Sequence, residues 1–190
     1  NLSFEIERGE KFLIVGKNGV GKSTLLKLIV DKLKASSGEI KIGTKVKLAY
    51  YAQEHETLDK DKTIFENFEN ENINDKNLRS FLGRFLFFND DIYKKISTLS
   101  PGERARVALA KIALSKANVL VLDEPTNHLD KDTQKIIAET FKNYKGTMLV
   151  VSHNPSFVDN LGVKRILLLP SGKIRFYDRK VVEKYEDINK

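Results

Sequence analysis

Glycines, two lysines and two hydroxyls crowd into Gly16-Lys17-Asn18-Gly19-Val20-Gly21-Lys22-Ser23-Thr24. The spacing is G-x-x-x-x-G-K-[ST], the pattern of a loop that cradles phosphate. Gly16, Gly19 and Gly21 let the backbone curl close to a polyphosphate without Cβ clashes. Lys22 is placed to reach β- and γ-phosphates and the Ser23 hydroxyl to ligate Mg²⁺, with Asn18 and Thr24 completing the loop. A glycine turn that binds nothing has no need of Lys-Ser directly after its last glycine.

The flanks supply what such a loop requires. Lys11–Val15 is a short apolar run that predicts a buried strand, and Leu25–Val30 continues as an apolar-rich helix. Strand, glycine turn and helix N-terminus together form an anion site, because backbone N–H groups and the helix dipole both favour negative charge.

Three further constellations carry chemistry. Val119–Leu122 predicts a central parallel strand ending in Asp123-Glu124-Pro125. Ligands of open α/β sheets bind at the carboxyl ends of strands, so these carboxylates should face the loop. Thr147–Val151 predicts a second central strand, ending in Ser152-His153. Ser100-Pro101-Gly102-Glu103 fits an S-x-x-E capping box with proline at the first helical position, predicting a helix onward through Leu114 and a second possible anion site at its start.

The remaining pattern reads as follows. Leu2–Glu7 alternates with period two, as a half-exposed strand does; Glu39–Tyr51 reads as two short antiparallel strands hinged at Gly43-Thr44. From Thr63 to about Ile96 the period is helical, with Ile64, Phe65 and Phe68 on one face and Leu78, Phe81, Leu82, Phe85 and Leu86 on another. The phenylalanines there suit a helical lobe with its own aromatic core better than a cofactor box. An amphipathic helix over Lys131–Tyr144, a hairpin of Arg165–Leu169 with Lys173–Tyr177, and a charged tail helix follow. The fold class is α/β, a mainly parallel core sheet with a small antiparallel β layer and a helical lobe, in a single domain over 1–190.

Composition sets wider bounds. The 190 residues are 41% hydrophobic and 31% charged, with no apolar run long enough for a membrane span. Zero cysteines exclude disulfides and thiolate metal sites, and a cytoplasmic setting is expected. Net charge is +7, unevenly spread: acids gather from Glu54 to Asp75, and Arg79, Arg84, Lys94, Lys95, Arg104, Arg106 and Lys111 follow. Solvated helix faces and a nucleic-acid surface both fit that pattern. The chain opens at Asn1 within a strand-like pattern, which suggests a domain of something longer.

In order, Gly16–Thr24, Gln53, Leu99–Glu103, Leu122–Glu124, Asp130 and His153 resemble the nucleotide-binding domain of ATP-binding cassette (ABC) proteins over nearly the whole chain. The resemblance implies ATP and Mg²⁺ as ligands. It implies Gln53 as a glutamine sensing Mg²⁺ and the attacking water, and Asp123 as the aspartate near Mg²⁺. Glu124 becomes the carboxylate that polarises water, and His153 the switch at the γ-phosphate. Leu99–Glu103, with Ser100 and Gly102 as donors, is similar to the signature that contacts a partner domain's ATP, and Asp130 matches the D-loop. Phosphoryl transfer needs positioning and charge stabilisation above covalent chemistry, which suits this set.

Asn127-His128-Leu129-Asp130, Glu103 in place of the usual signature glutamine, and the stretch Arg79–Phe88 resemble the ABC-F subfamily, most closely its second, C-terminal ABC domain. That implies a second ABC domain as partner, in the same full-length chain, and a switch acting on the ribosome. The isolated domain is then expected to be a monomer. Two rivals stay open: the motor of a membrane transporter, and an ATP-gated nucleic-acid-binding module with negligible hydrolysis. Two departures stand out. Pro101 replaces the first signature glycine and removes one backbone donor, and the aromatic that stacks on adenine in this family normally lies upstream of Asn1.

Overall fold

A computed structural model describes residues 2–52, 58–71 and 73–188, with side chains described as far as 185. The continuous apolar runs become the middle of one sheet. β1 (Lys11–Val15), β3 (Val119–Asp123) and β4 (Thr147–Val151) are buried on both faces, which is why they show no polar alternation. With β2 (Leu48–Tyr51), β5 (Arg165–Leu168) and β6 (Lys173–Phe176) they form a six-stranded sheet in the order β2-β3-β4-β1-β5-β6. All pairings are parallel except the antiparallel β5–β6 hairpin.

Alternate residues of each strand serve two cores. Phe12, Ile14, Val121, Leu149, Val151 and Leu167 pack with Leu26 of α1 (Lys22–Ile29) on one face. Leu13, Val15, Leu120, Leu122, Met148 and Val150 face the larger core. It is built with α2 (Asp75–Gly83), α3 (Pro101–Leu114), α4 (Lys131–Lys142), α5 (Pro155–Leu161) and α6 (Arg179–Ile188). Lys11 joins two helix ends to the sheet, its ammonium donating to the carbonyls of Lys142 (2.6 Å) and Leu161 (3.1 Å).

Four expectations need correction. Residues 2–7 form no strand; Phe4 instead stacks on Phe12, ring centroids 5.7 Å apart. Residues 39–47 form no strand either, although the expected turn exists, with Val46 N–H donating to Gly43 at 2.9 Å. Period-two patterning marks amphipathicity, but a strand also needs a paired neighbour, and Leu2, Ile40 and Ile42 remain exposed. Only Leu48–Tyr51 of that stretch is a strand, and it runs parallel to β3. Asn118 clamps its start, accepting from Lys47 N–H and donating to the Lys45 carbonyl, both at 2.8 Å.

Among the described residues, the stretch from Thr63 to Thr98 holds one α-helix, α2, among short 3-10 turns at Glu66–Phe68, Asn89–Tyr93 and Ile96–Thr98. Its aromatic residues are not a separate core. Phe85 meets Phe141 of α4 edge-on at 6.3 Å, so the lobe continues the main core. Finally, α5 was not anticipated. Its signals are local: Asn154 caps Phe157 N–H at 3.0 Å, Pro155 occupies the first turn, and Gly162 ends it at φ 78°.

Candidate active site

Strand order does most of the assembly. β3, β4 and β1 are consecutive neighbours and parallel, so their carboxyl ends lie side by side. The glycine loop leaves β1, Asp123 ends β3 with Glu124 directly after it, and His153 follows β4. This is where open α/β sheets bind ligands.

The loop is tightly specified at Gly16. A Cβ there would lie 2.8 Å from Val20 Cγ1 and 3.0 Å from the Leu169 carbonyl oxygen. Gly21, at φ 101°, caps α1 in a conformation side chains resist. The loop closes around Lys22: its ammonium donates to the carbonyls of Gly16 (2.9 Å) and Lys17 (3.0 Å) and lies 3.5 Å from Asn18 Oδ1. Burial lowers the Lys22 pKa, while the charges of Glu124 and Asp123 oppose that shift. Ser23 and Thr24, in the first turn, are open to solvent.

Asp123 and Glu124 differ although adjacent. Asp123 is buried; its Oδ2 accepts from the Tyr50 hydroxyl at 3.2 Å, and its Oδ1 has no hydrogen-bond partner among the described residues. Glu124 turns into the left-handed region at φ 49°, its N–H held by the Val151 carbonyl at 2.9 Å. Burial pushes the Glu124 carboxyl up to about 7, and Asp123 adds to this while Lys22 opposes it. His153 Nε2 lies 3.2 Å from Glu124 Oε1. A carboxyl balanced near neutrality beside an imidazole can orient water and exchange its proton.

Ser100, Gly102 and Asp130 are not at this place. They line a second cleft of about 450 Å³ with Pro101, Glu103, Arg106, His128, Leu129 and Thr133. The capping box forms: Ser100 N–H donates to Glu103 Oε2 at 2.8 Å, and Glu103 N–H to Ser100 Oγ at 3.3 Å. Asp130 caps α4 through Asp132 and Thr133 N–H at 3.1 and 3.0 Å, and the bonds from Thr133 hold its carboxyl below the usual range. Gly102 sits where a Cβ would come within 2.7 Å of the His128 carbonyl oxygen. Gln53 lies outside the described residues.

Two contributors escaped the sequence reading. Tyr50 carried no motif signal. Gln134 links the loops of both clefts, accepting from Asn154 Nδ2 at 2.6 Å and donating to the Leu129 carbonyl at 2.9 Å. Only the fold brings Gln134 beside the residue following His153.

The family model described as ABC transporter matches residues 1–127. YdiF of Bacillus subtilis (strain 168) is 44% identical over 93% of this chain and 28% of its own length. ABC transporter F family member 5 of Arabidopsis thaliana is 41% identical over 93% of this chain and 26% of its own. The chain thus spans little more than a quarter of these two relatives. Among solved structures, the dimeric post-hydrolysis state of the ATP-binding cassette MJ0796 bound to ADP and Pi superposes with a TM-score of 0.79. That match is 24% identical and covers 93% of this chain and 89% of the other, and it shows the fold.

Proposed function

Because the chain belongs to the ATP-binding cassette family, with its F-subfamily relationship supported by the plant relative, we propose that it binds ATP in the Gly16–Thr24 loop and hydrolyses it. The observation carrying this reading is the convergence of Lys22, Asp123, Glu124 and His153 on the ends of three adjacent strands. In this reading Gly16, Asn18, Gly19, Gly21 and Thr24 wrap the phosphates and Lys22 offsets their charge. Glu124 orients the attacking water and receives its proton, and His153 holds Glu124 and meets the γ-phosphate. These roles require only placement and charge.

The donor set also fits Mg²⁺. No group of three or more His, Cys, Asp or Glu is gathered as a metal cage among the described residues, and Mg²⁺ beside nucleotide takes few protein ligands. The buried, unpartnered Asp123 Oδ1 and the open Ser23 hydroxyl would hold it, with Gln53 as third candidate. When bound, it would neutralise charge on the phosphates.

The second cleft supports a paired arrangement. Its helix N-terminus and Ser100 hydroxyl are suited to the γ-phosphate of ATP held by another ABC domain. We take that domain to belong to the same full-length protein, with ATP closing the pair and hydrolysis opening it, as a switch on the ribosome. No helix among the described residues is long and apolar enough to cross a membrane.

ATP turnover by this chain across a range of protein concentrations tests the pairing. ATP bound without turnover by the chain alone, restored by the full-length protein, supports a half-site. Turnover by the chain strictly proportional to its concentration contradicts it. Copurifying ribosomal RNA supports the ribosomal partner, and a copurifying membrane protein the transporter.

A further inference from the structure

Tyr50 belongs to no motif, yet its hydroxyl donates to Oδ2 of Asp123 at 3.2 Å. β2 brings it there. Tyr50 stands in register with Val121 on β3, two residues before Asp123, and side chains two apart share a sheet face. The ring packs with the core beneath the glycine loop, and the Lys32 ammonium lies 5.2 Å from its centroid. A cation over the ring face steadies its orientation.

The kind of donor matters. Lysine or arginine at this position would fix the carboxylate but cancel the charge that attracts a cation. A phenol fixes it and leaves the charge in place. With Oδ2 held, Oδ1 has one direction to face, and it is buried with no hydrogen-bond partner among the described residues. A buried unpaired acceptor in an otherwise satisfied core calls for a ligand.

We propose that Tyr50 is a positioning residue, orienting Asp123 Oδ1 toward the divalent cation that enters with the nucleotide without neutralising the carboxylate. This rests on the nucleotide reading above. It adds a residue that acts through Asp123 and touches neither nucleotide nor cation. Outer partners of this kind tune metal affinity by orienting the ligand itself.

The test uses Tyr50→Phe, which keeps the ring and its packing, and Asp123→Asn. Mn²⁺ binding to the protein with a non-hydrolysable ATP analogue is followed by electron paramagnetic resonance, and analogue binding is repeated in EDTA. Tyr50→Phe should weaken Mn²⁺ binding by about tenfold or more and leave metal-free analogue binding unchanged, with a modest fall in melting temperature from the unpaired Asp123 Oδ2. Unchanged Mn²⁺ affinity in Tyr50→Phe, with Asp123→Asn impaired, would overturn the role of Tyr50 and spare the site. Equal losses with and without metal would also overturn it, as general damage to the loop. Full Mn²⁺ affinity in Asp123→Asn would overturn both this proposal and the metal assignment beneath it.

Discussion

His153 Nε2 and Glu124 Oε1 stand 3.2 Å apart, each side chain about four-fifths shielded from solvent. They come from the ends of different strands, and the contact is fixed by backbone. Glu124 N–H donates to the carbonyl of Val151, two residues before His153, which extends the β3–β4 ladder past its last strand pair. The left-handed turn at Glu124 is thereby tied to the strand that delivers the histidine. A pair fixed by backbone in this way suits the proposed role of pointing one water at one phosphorus.

The buried Glu124 makes stability depend on pH in a definite direction. Its carboxyl is raised from 4.5 to about 7 in the folded protein, chiefly by burial. The folded state therefore binds a proton that the unfolded state has lost between these values. This contribution is fully present below 4.5 and is lost as pH rises through about 7. Glu124→Gln cannot ionise there and should be more stable than the parent by on the order of 3 kcal/mol at about pH 8, with little difference at about pH 4. Urea denaturation of both proteins at the two pH values measures this. Equal stabilities at both would contradict it.

Pro101 bears on the second cleft. It starts α3 well, since its missing N–H lies among those a helix leaves unpaired, but it removes a donor from the mouth of the cleft. If this cleft completes a partner domain's ATP site as proposed, Pro101→Gly in the full-length protein should raise ATP turnover there by about tenfold, the worth of one hydrogen bond to a charged group. Unchanged turnover would mean that the Ser100 hydroxyl and Gly102 amide already suffice.

Phe85 is fully buried and joins the stretch after α2 to α4 through its contacts with Phe81 at 5.3 Å and Phe141 at 6.3 Å. Phe85→Ala should destabilise the whole chain by about 3–5 kcal/mol in one cooperative transition. A lobe with an independent core would instead melt separately, leaving the main transition in place. Calorimetry distinguishes the two.

The central sheet was legible because strands buried on both faces write themselves as unbroken apolar runs, as in Val119–Leu122 and Thr147–Val151. The helix start at Ser100 was legible because capping is local chemistry, and the helix from Lys131 because its amphipathic period is local too. The segments around Phe4 and Ile40 were misread because alternation records which side chains face inward and not whether a neighbouring strand is available. The aromatic residues near Phe85 were assigned to their own core because sequence shows their crowding and not their contact with Phe141. In the site, motif spacing pointed to Lys22, the carboxyl end of a strand to Asp123 and Glu124, and the family resemblance to His153, each at an element boundary. Tyr50 and Gln134 act across the fold, on partners 73 and 20 residues away, and no local pattern marks such pairs.

The most direct test of the central claim measures ATP affinity and ATP turnover side by side for the parent protein and Glu124→Gln, in the full-length protein. The substitution keeps the size and hydrogen-bonding shape of the side chain and removes its capacity to take a proton. The account predicts ATP affinity within about twofold of the parent and turnover at least about a hundredfold slower, the usual contribution of a positioned general base. Turnover that survives the substitution, or a parent protein that fails to bind ATP, would contradict it.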